Sequence, residues 1–441
     1  MQYKRLYQIG FMALFLYTGA AQGQVSDALG TMTPYSMFGL GELVRQGTTY
    51  NRTMGGIGLS LRDHRYINYL NPAAISAHDT LAFMLDFGLE AQNFYHASNQ
   101  TKSAFNSMNM NHFVISFPVY KKSAVVVGFA PYSHVGYRFE VKESRPEIIS
   151  EMGDVTYQHY GEGSMNQIFI GAAVSLSKNF SVGAKGIYNF GTLSRSSNVL
   201  FNTVDTYNPI ATNAKTVLES FAGKFGVQYE GRLNRRTALS VGATALLPTT
   251  LKGDVSRVAT SISGSSVVDT VYSVVLNGSQ ISVPAEYAAG VSLSRKYVEG
   301  VAINRWLVGF DYSYQDWSNT NFAPTPGVNF APSVKSAYKF GFELTPDFFD
   351  SRYAFKRWTY RGGVYYEDSY VKLNGQQVNS RGVTFGLSLP VYRGYNKNML
   401  NFGVDLGQRG TLKEQLIRER YVLFQISISL YDIWFVKMRY E

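Results

Sequence analysis

The stretch that decides the fold is residues 302–317, AINRWLVGFDYSYQDW. The even positions 306 to 314 carry aromatic or apolar side chains, and most of the odd positions carry charged, small or polar ones. Because successive side chains of a strand point to opposite faces, this pattern predicts a β-strand with one aromatic face and one polar face. Taken alone, such a strand fits any half-buried sheet.

The same alternation recurs along the chain. The other runs with an apolar side chain at every second position are 168–176, 180–190, 287–293, 338–344, 400–406 and 422–430. Many strands of roughly 10 residues, each apolar on one face and small or polar on the other, are typical of a transmembrane β-barrel. A soluble sandwich would share the period, but its outer face would carry more charge.

The composition favours the membrane. Charged residues make up 16% of the chain, against about 25% in a typical soluble domain. The 32 tyrosines and 29 phenylalanines suit the lipid face and its two interfaces with water, and glycines on the lumen face would leave room for a plug or a ligand. The chain after the predicted signal holds about 14 strand-like segments, which at 9–11 residues per spanning strand occupy about a third of it. The sequence therefore predicts an all-β, antiparallel transmembrane barrel of about 14 strands.

The N-terminus has the features of an export signal. Lys4 and Arg5 precede the apolar run 9–17, and residues 21–23, AQG, form a small-x-small cleavage site. We therefore predict a signal peptide over residues 1–23 and delivery to the outer membrane of a Gram-negative cell. The chain has no cysteine, which excludes disulfides and a lipid-modified N-terminal cysteine.

Residues 24–79 do not have the pattern of barrel strands. They are rich in glycine, methionine, asparagine and turn residues. Irregular backbone at membrane depth is tolerated only inside protein or beside a wet cavity. We therefore predict a plug over residues 24–79 and a barrel with long extracellular loops over residues 80–441. The candidate plug residues are Asn71, Pro72 and Ala73, with the turn glycines Gly55, Gly56 and Gly58.

The alternative for Asn71-Pro72 is a simple turn into the first strand. Near the other end of the chain, residues 412–420, LKEQLIRER, predict a short amphipathic helix between two strands.

The order of short motifs resembles the FadL family of outer-membrane channels for hydrophobic compounds, in its Bacteroidota branch. The motifs are GGIGLS at 55–60, NPAA at 71–74, PAEYAAG at 284–290, LVGFDYSYQDWS at 307–318, GQRG at 407–410 and LYDIWFVK at 430–437. The resemblance implies a 14-stranded barrel, a plug that includes Asn71, Pro72 and Ala73, and entry of greasy molecules through a side opening.

Candidate contacts for an apolar ligand lie in the predicted plug. They are Met32, Met37, Met54, Ile57 and Leu59. Methionine is flexible and polarizable, and it adapts to varied apolar shapes. The alternative is that these residues only pack the plug against the barrel wall.

Enzymatic chemistry is not predicted. The six histidines lack a metal-ligand spacing, and the chain has neither a nucleophile elbow nor a Walker loop. We expect no catalytic residue, no metal and no cofactor. The formal charge of +10 comes from scattered side chains, which suits contact with outer-membrane lipid and lipopolysaccharide rather than nucleic acid.

Two functions follow from these expectations. The first is passive uptake of a hydrophobic small molecule, fatty-acid-like or aromatic. The second is a non-transporting subunit or partner of an outer-membrane protein complex for export or barrel assembly. A lateral gap and an apolar pocket would favour the first function, and a closed barrel without them would favour the second.

Overall fold

The structure is a computed structural model that describes residues 30–98, 101–120, 122–201, 207–263, 266–295, 304–322, 329–350, 352–391 and 398–434. The predicted signal peptide, residues 1–23, lies outside the described residues. None of the helices in the described part of the chain is long and apolar enough to cross a membrane.

The described residues are mostly β-strand. The strands are β1 Glu42–Leu43, β2 Ala82–Ala97, β3 Lys102–Tyr120, β4 Ser123–Lys142, β5 Val155–Ser175, β6 Phe180–Phe201, β7 Ile210–Arg232, β8 Thr237–Leu246, β9 Thr249–Ser263, β10 Ser266–Val283, β11 Glu286–Arg295, β12 Arg305–Asp316, β13 Phe330–Pro332, β14 Val334–Thr345, β15 Thr359–Leu373, β16 Gln376–Pro390, β17 Met399–Arg409 and β18 Arg418–Ile433. The helical elements are the α-helices Thr49–Arg52 and Pro146–Met152 and the 3-10 helices Pro34–Met37, Pro72–Ala77, Ala354–Lys356 and Lys413–Gln415.

Some of these segments are parts of one barrel strand. Only Leu247 and Pro248 separate β8 from β9, and both segments pair with β7. Only Pro284 and Ala285 separate β10 from β11, which pair with β9 and β8. In the same way, β13 and β14 both pair with β15, while β1 belongs to the N-terminal segment.

The resulting strands form a closed antiparallel barrel of 14 strands. The ring closes where the last strand, β18, pairs with the first, β2, over their whole lengths. The predicted all-β transmembrane barrel is thereby confirmed. We call the end at which β2 begins and β18 ends the inner end, and the opposite end the outer end.

The outward face of the wall is apolar and its inward face is polar, as a membrane requires. On β18 the side chains of Phe424, Ile426, Ile428 and Leu430 are 40–48% exposed on the outside, whereas the alternating Gln425, Ser427 and Ser429 are buried inside. A face that is exposed and apolar, backed by a buried polar face, is the reverse of a soluble sandwich and is expected for a transmembrane barrel.

The outer end extends beyond a bilayer. Strands β5, β6 and β7 contain 21, 22 and 23 residues, about twice the 9–11 residues that a spanning strand needs. The sequence predicts long extracellular loops, and in the structure these strands continue as extended hairpins at the outer end.

The helix predicted over residues 412–420 is wrong. A 3-10 turn, Lys413–Gln415, replaces it, and strand β18 already begins at Arg418. Backbone pairing of Arg418 and Glu419 with β2 and β17 outweighs the local helical periodicity.

The outward face supplies a test of the membrane position. Phe310 lies in the middle of β12 and is 42% exposed. Replacing it by arginine should lower the free energy of unfolding by about 2–4 kcal/mol, because the charge would face lipid near the bilayer midplane. Urea unfolding in liposomes, followed by heat-modifiable gel mobility, measures this change.

The matched control is Val141→Arg. Val141 is also exposed, at 49%, but it lies at the outer end of β4 beside Lys142, where water can solvate the charge. Equal destabilisation by the two substitutions would contradict the assigned lipid face.

Candidate functional site in the barrel lumen

The N-terminal segment, residues 30–79, packs against the inward faces of strands around the barrel. Its short strand β1 pairs Glu42 and Leu43 with β4, and its 3-10 helix Pro72–Ala77 packs on β5, β6 and β7. Tyr50, Met54 and Ile57 are at most 1% exposed. The described part of the segment therefore contacts the inward faces of β4, β5, β6 and β7.

Inward-facing glycines allow the segment to touch the wall. A Cβ on Gly341 would lie 2.3 Å from the carbonyl oxygen of Met54, and a Cβ on Gly363 would lie 2.2 Å from the amide nitrogen of Gly55. Both atoms are backbone and cannot move aside cheaply. Other wall glycines at which a Cβ would meet the segment are Gly183, Gly226, Gly242, Gly290, Gly309, Gly386 and Gly403. We call these glycines, together with Gly341 and Gly363, the glycine track.

The Asn71-Pro72-Ala73 motif packs against Gly183 and Gly226 of the glycine track. The Asn71 side-chain oxygen accepts a hydrogen bond from the Ala73 amide at 3.0 Å, which caps the 3-10 helix. Its side-chain nitrogen donates to the carbonyl oxygens of Leu59 at 2.7 Å and Val227 of β7 at 3.1 Å. The motif thus links the segment to itself and to the wall before β2 begins.

The three predicted turn glycines act in two ways. Gly55 and Gly56 have φ angles of +68° and +87°, which residues other than glycine rarely adopt. Gly58 is required for space, since its Cβ would lie 2.4 Å from the side chain of Leu70.

Two polar side chains of the wall hold the same turn. Asp311 of β12 accepts hydrogen bonds from the amides of Gly58 and Leu59 at 2.6 and 2.9 Å. Thr384 of β16 accepts one from the amide of Gly55 at 2.8 Å. Neither residue is among the candidate site residues predicted from the sequence. An available signal was the carboxylate of Asp311 on the inward face of the most regular strand.

The five candidate ligand contacts do not meet around one cavity. Met54 and Ile57 are fully buried in one cluster, Met37 packs against a second, and Met32 packs against a third. Leu59 is 7% exposed and lies against the wall. In this arrangement the five side chains pack the segment onto the barrel.

Buried ion pairs connect the segment to several strands. Arg45 pairs with Asp405 of β17 at 2.8 Å and with Glu367 of β15 at 3.3 Å. Arg52 pairs with Glu90 of β2 at 2.6 Å. Removing one partner of such a pair leaves a buried charge uncompensated, which typically costs about 3–5 kcal/mol.

A third ionic cluster lies deeper in the segment. Asp63 pairs with Arg65 at 3.1 Å and with Arg305 of β12, and Arg65 also reaches Glu343 of β14 at 3.2 Å. Burial alone would raise the pKa of Asp63, but the guanidiniums of Arg305 and Arg65 outweigh it and hold that pKa well below its usual range. Asp63 is therefore ionised at neutral pH.

The cavities between segment and wall are small. Their volumes are about 50, 60 and 90 Å³, whereas a dry cavity that binds benzene measures about 150 Å³. The first is lined by charged residues, Glu42, Arg45, Arg52, Glu90 and Arg409 among them. Among the described residues, no group of three histidine, aspartate or glutamate side chains could hold a metal ion.

Solved structures with the same fold include two toluene transporters and a FadL homologue. The P. putida toluene transporter TodX is 14% identical with a TM-score of 0.55, covering 88% of this chain and 98% of its own. The Ralstonia pickettii toluene transporter TbuX is 13% identical with a TM-score of 0.54, covering 87% and 97%. A Pseudomonas aeruginosa FadL homologue is 11% identical with a TM-score of 0.52, covering 88% and 99%. The chain therefore has the fold of the FadL-type transmembrane barrels.

The particular family comes from the sequence. The family model of BamG matches residues 5–441, so this chain belongs to the BamG family. No curated protein matches the chain. The expected likeness to FadL-type channels is thus shown at the level of fold, and the narrower Bacteroidota assignment stays a prediction.

The glycine track yields a test of the contact between segment and wall. Gly363→Val should destabilise the packing of the segment by about 1–3 kcal/mol, because the new side chain would overlap backbone atoms of Met54 and Gly55. Limited proteolysis of the folded barrel should then cut the segment faster. Gly186→Ala is the control, since its Cβ would have its nearest neighbour at 4.0 Å. Equal cleavage of the two variants would contradict the contact.

His78 makes the packing of the segment pH-dependent. It is buried with Nδ1 2.8 Å from the hydroxyl of Ser116, and burial lowers its pKa to about 4. When the segment detaches, the ring regains a pKa near 6.5. Between these values the detached state binds more protons, so stability is lost as the pH falls below about 6.5.

We therefore expect acidification from pH 7 to pH 5 to increase protease cleavage within residues 30–79 by roughly tenfold or more. His78→Gln removes the titrating group and should flatten this dependence. A variant with the same pH profile as the native protein would assign the effect to another group.

Proposed function

We propose that this protein is a non-transporting, FadL-like subunit of an outer-membrane protein complex for barrel assembly or export. The observation that carries the proposal is the close contact of the N-terminal segment with the wall, through inward glycines and buried ion pairs. Membership of the BamG family supports the same role. In this proposal residues 24–79 are a permanent plug of the barrel 80–441.

The location belongs to the proposal as well. Residues 1–23 serve as the signal peptide, and the exposed apolar belt lies in the outer membrane of a Gram-negative cell. The outer end, with its long hairpins, is extracellular, because barrels of this type have short periplasmic turns and longer extracellular extensions.

The described wall is bridged at one interruption and parted at another. Strand β3 pairs with β4 only from Phe113 to Tyr120, and farther out β4 pairs with β1 of the N-terminal segment instead. The strands of the wall are interrupted by Pro248 and Pro284, but the first of these interruptions is bridged by the amide of Leu247, which donates to Gly223 at 2.9 Å. The hydroxyl of Thr249 donates to the carbonyl of Phe221 at 2.6 Å. The wall is therefore continuous beside Pro248, whereas between the outer halves of β3 and β4 the N-terminal segment contacts both strands. In the proposed function this segment closes the break.

The β9–β10 ribbon supports a protein partner. Among the described residues, β10 pairs with β9 alone, and residues 267–278 are exposed on both faces. Most are apolar, and Asp269 is the one charged residue among them. Natural proteins protect such an edge by charge, proline or a cover, and a strand of another protein can add to it.

Passive uptake of a hydrophobic compound, fatty-acid-like or aromatic, is the second candidate. The fold shared with hydrocarbon channels favours it. Transport would require the segment to leave the glycine track and to break the pairs of Arg45 and Arg52. The structure supports this function less well, because each cavity described in the lumen is smaller than an aromatic ligand needs.

Purification from native outer membranes in mild detergent distinguishes the two functions. We expect co-purification with other outer-membrane proteins at a constant ratio, and loss of this association in the double variant Val271→Lys, Val275→Lys on the β10 edge. Leu233→Lys is the matched control, because Leu233 is also exposed but lies at the inner end. Liposomes containing the protein should take up toluene or a long-chain fatty acid no faster than empty liposomes. Faster uptake by an unassociated barrel would overturn the proposal.

A further inference from the structure

The outward faces of β16 and β18 pass from apolar to cationic near the outer end. On β16 the outward side chains of Val383 and Phe385 are followed by Arg381, and on β18 those of Phe424 and Val422 are followed by Arg420. Each arginine therefore stands where the lipid-facing belt of its strand ends. This is the depth of lipid head groups.

The two arginines are close neighbours across the intervening strand. Arg381 is opposite Gln408 of β17, and Gln408 is opposite Arg420. Because adjacent strands lie about 4.8 Å apart, the backbones of Arg381 and Arg420 are about 10 Å apart. Their side chains can therefore reach one head group together.

A recess at this rim adds further cations. Its volume is about 470 Å³, and its lining includes Asn379, Arg381, Gln408, Lys413 and Arg418. Arg418 begins β18 on the same outward face as Arg420. The recess is open to the outside and is larger than the cavities of about 50, 60 and 90 Å³ between segment and wall.

No described residue neutralises these guanidiniums. In the described part of the chain, the side chains of Arg381, Arg418 and Arg420 form no hydrogen bond or ion pair, and the Nε of Arg418 is buried without an acceptor. The neighbouring Arg409 faces inward and differs, since it pairs with Glu42 and Glu419.

The nearby carboxylates do not change this picture. Asp368 accepts a hydrogen bond from Ser336 at 3.1 Å. Glu414 is exposed in the 3-10 turn beside Lys413. A cluster of arginines without acceptors thus remains above an apolar wall.

We infer that Arg381, Arg418 and Arg420, together with Lys413, bind the phosphate groups of a lipopolysaccharide molecule in the outer leaflet. Guanidinium groups match phosphate oxygens with paired, charge-assisted hydrogen bonds. The acyl chains of the same molecule would lie over Val383, Phe385, Val422 and Phe424. The inference depends on the outer-membrane location proposed above, and it assigns a lipid site to the outer rim of β16–β18.

Lipid binding to the detergent-purified full chain tests this site. The probes are lipid A and lipid A from which the phosphates have been removed, with bound lipid counted by native mass spectrometry. The test variant carries Arg381→Gln, Arg418→Gln and Arg420→Gln. The control carries Arg232→Gln, Arg235→Gln and Arg236→Gln, three exposed arginines in and beside the β7–β8 turn at the inner end.

We expect the native protein and the control to retain lipid A, and the test variant to retain at least tenfold less at the same lipid concentration. Removing the phosphates should lower binding to the native protein to a similar extent. Heat-modifiable gel mobility verifies that each variant is folded. Equal binding by the test variant, or equal binding of both lipids, would overturn the site.

Two further measurements distinguish the lipid site from a site for free anions and from the proposed function. Inorganic phosphate at the same concentration should not displace lipid A, and displacement would indicate a free-anion site and overturn the lipid assignment. The test variant should still associate with its outer-membrane partners. Loss of lipid binding with intact association therefore supports the site, whereas failure of association in the native protein would bear on the proposed function alone.

Discussion

The close approach of the N-terminal backbone to the barrel wall is the constraint on which the rest of the structure depends. Backbone atoms of Met54, Gly55 and Leu59 lie where a Cβ on Gly341, Gly363 or Gly242 would be. At these wall positions even alanine would collide with backbone. The inward side of the barrel must therefore be small at those positions, while the outward side of the same strands must stay apolar for the membrane. A strand meets both demands because successive side chains point to opposite faces, so small and apolar residues can alternate along it.

Charge makes the segment and the barrel mutually dependent. Asp405, Glu90 and Glu343 point into the lumen and are nearly inaccessible to solvent. Arg45, Arg52 and Arg65 of the segment supply counter-charges for them, so withdrawal of the segment would leave these carboxylates with fewer partners. Burial without a partner is expensive for an ionised group. This coupling explains why we treat the segment as a permanent plug: a gate would have to break several buried ion pairs in each cycle.

Most of the barrel could be predicted from the sequence, because strand alternation is local and each strand carries it independently. Residues 302–317 show it most clearly, and the predicted number of strands is confirmed. The helix predicted at 412–420 failed because pairing with β2 and β17 is not local. The partners in the lumen were also beyond reach, since Asp311 and Gly58 are far apart in the chain. Glycines on the inward face indicated that something packs closely there, but not which residues. Met32, Met37 and Met54 could therefore be assigned to the segment but not to their separate clusters.

In the proposed function the functional surfaces lie on the outside of the barrel. The fold is shared with hydrocarbon channels at identities of 13–16%, and at that distance the wall can persist while the interior changes its use. Among the described residues, the N-terminal segment brings packed side chains and ion pairs to the inside of the wall, whereas backbone without a partner lies on β10 and guanidiniums without a partner lie at the outer rim of β16–β18. A partner strand and a lipid phosphate would satisfy these groups without any movement of the plug. The groups that the described barrel leaves without partners therefore face outward, where the proposed partner and lipid would bind.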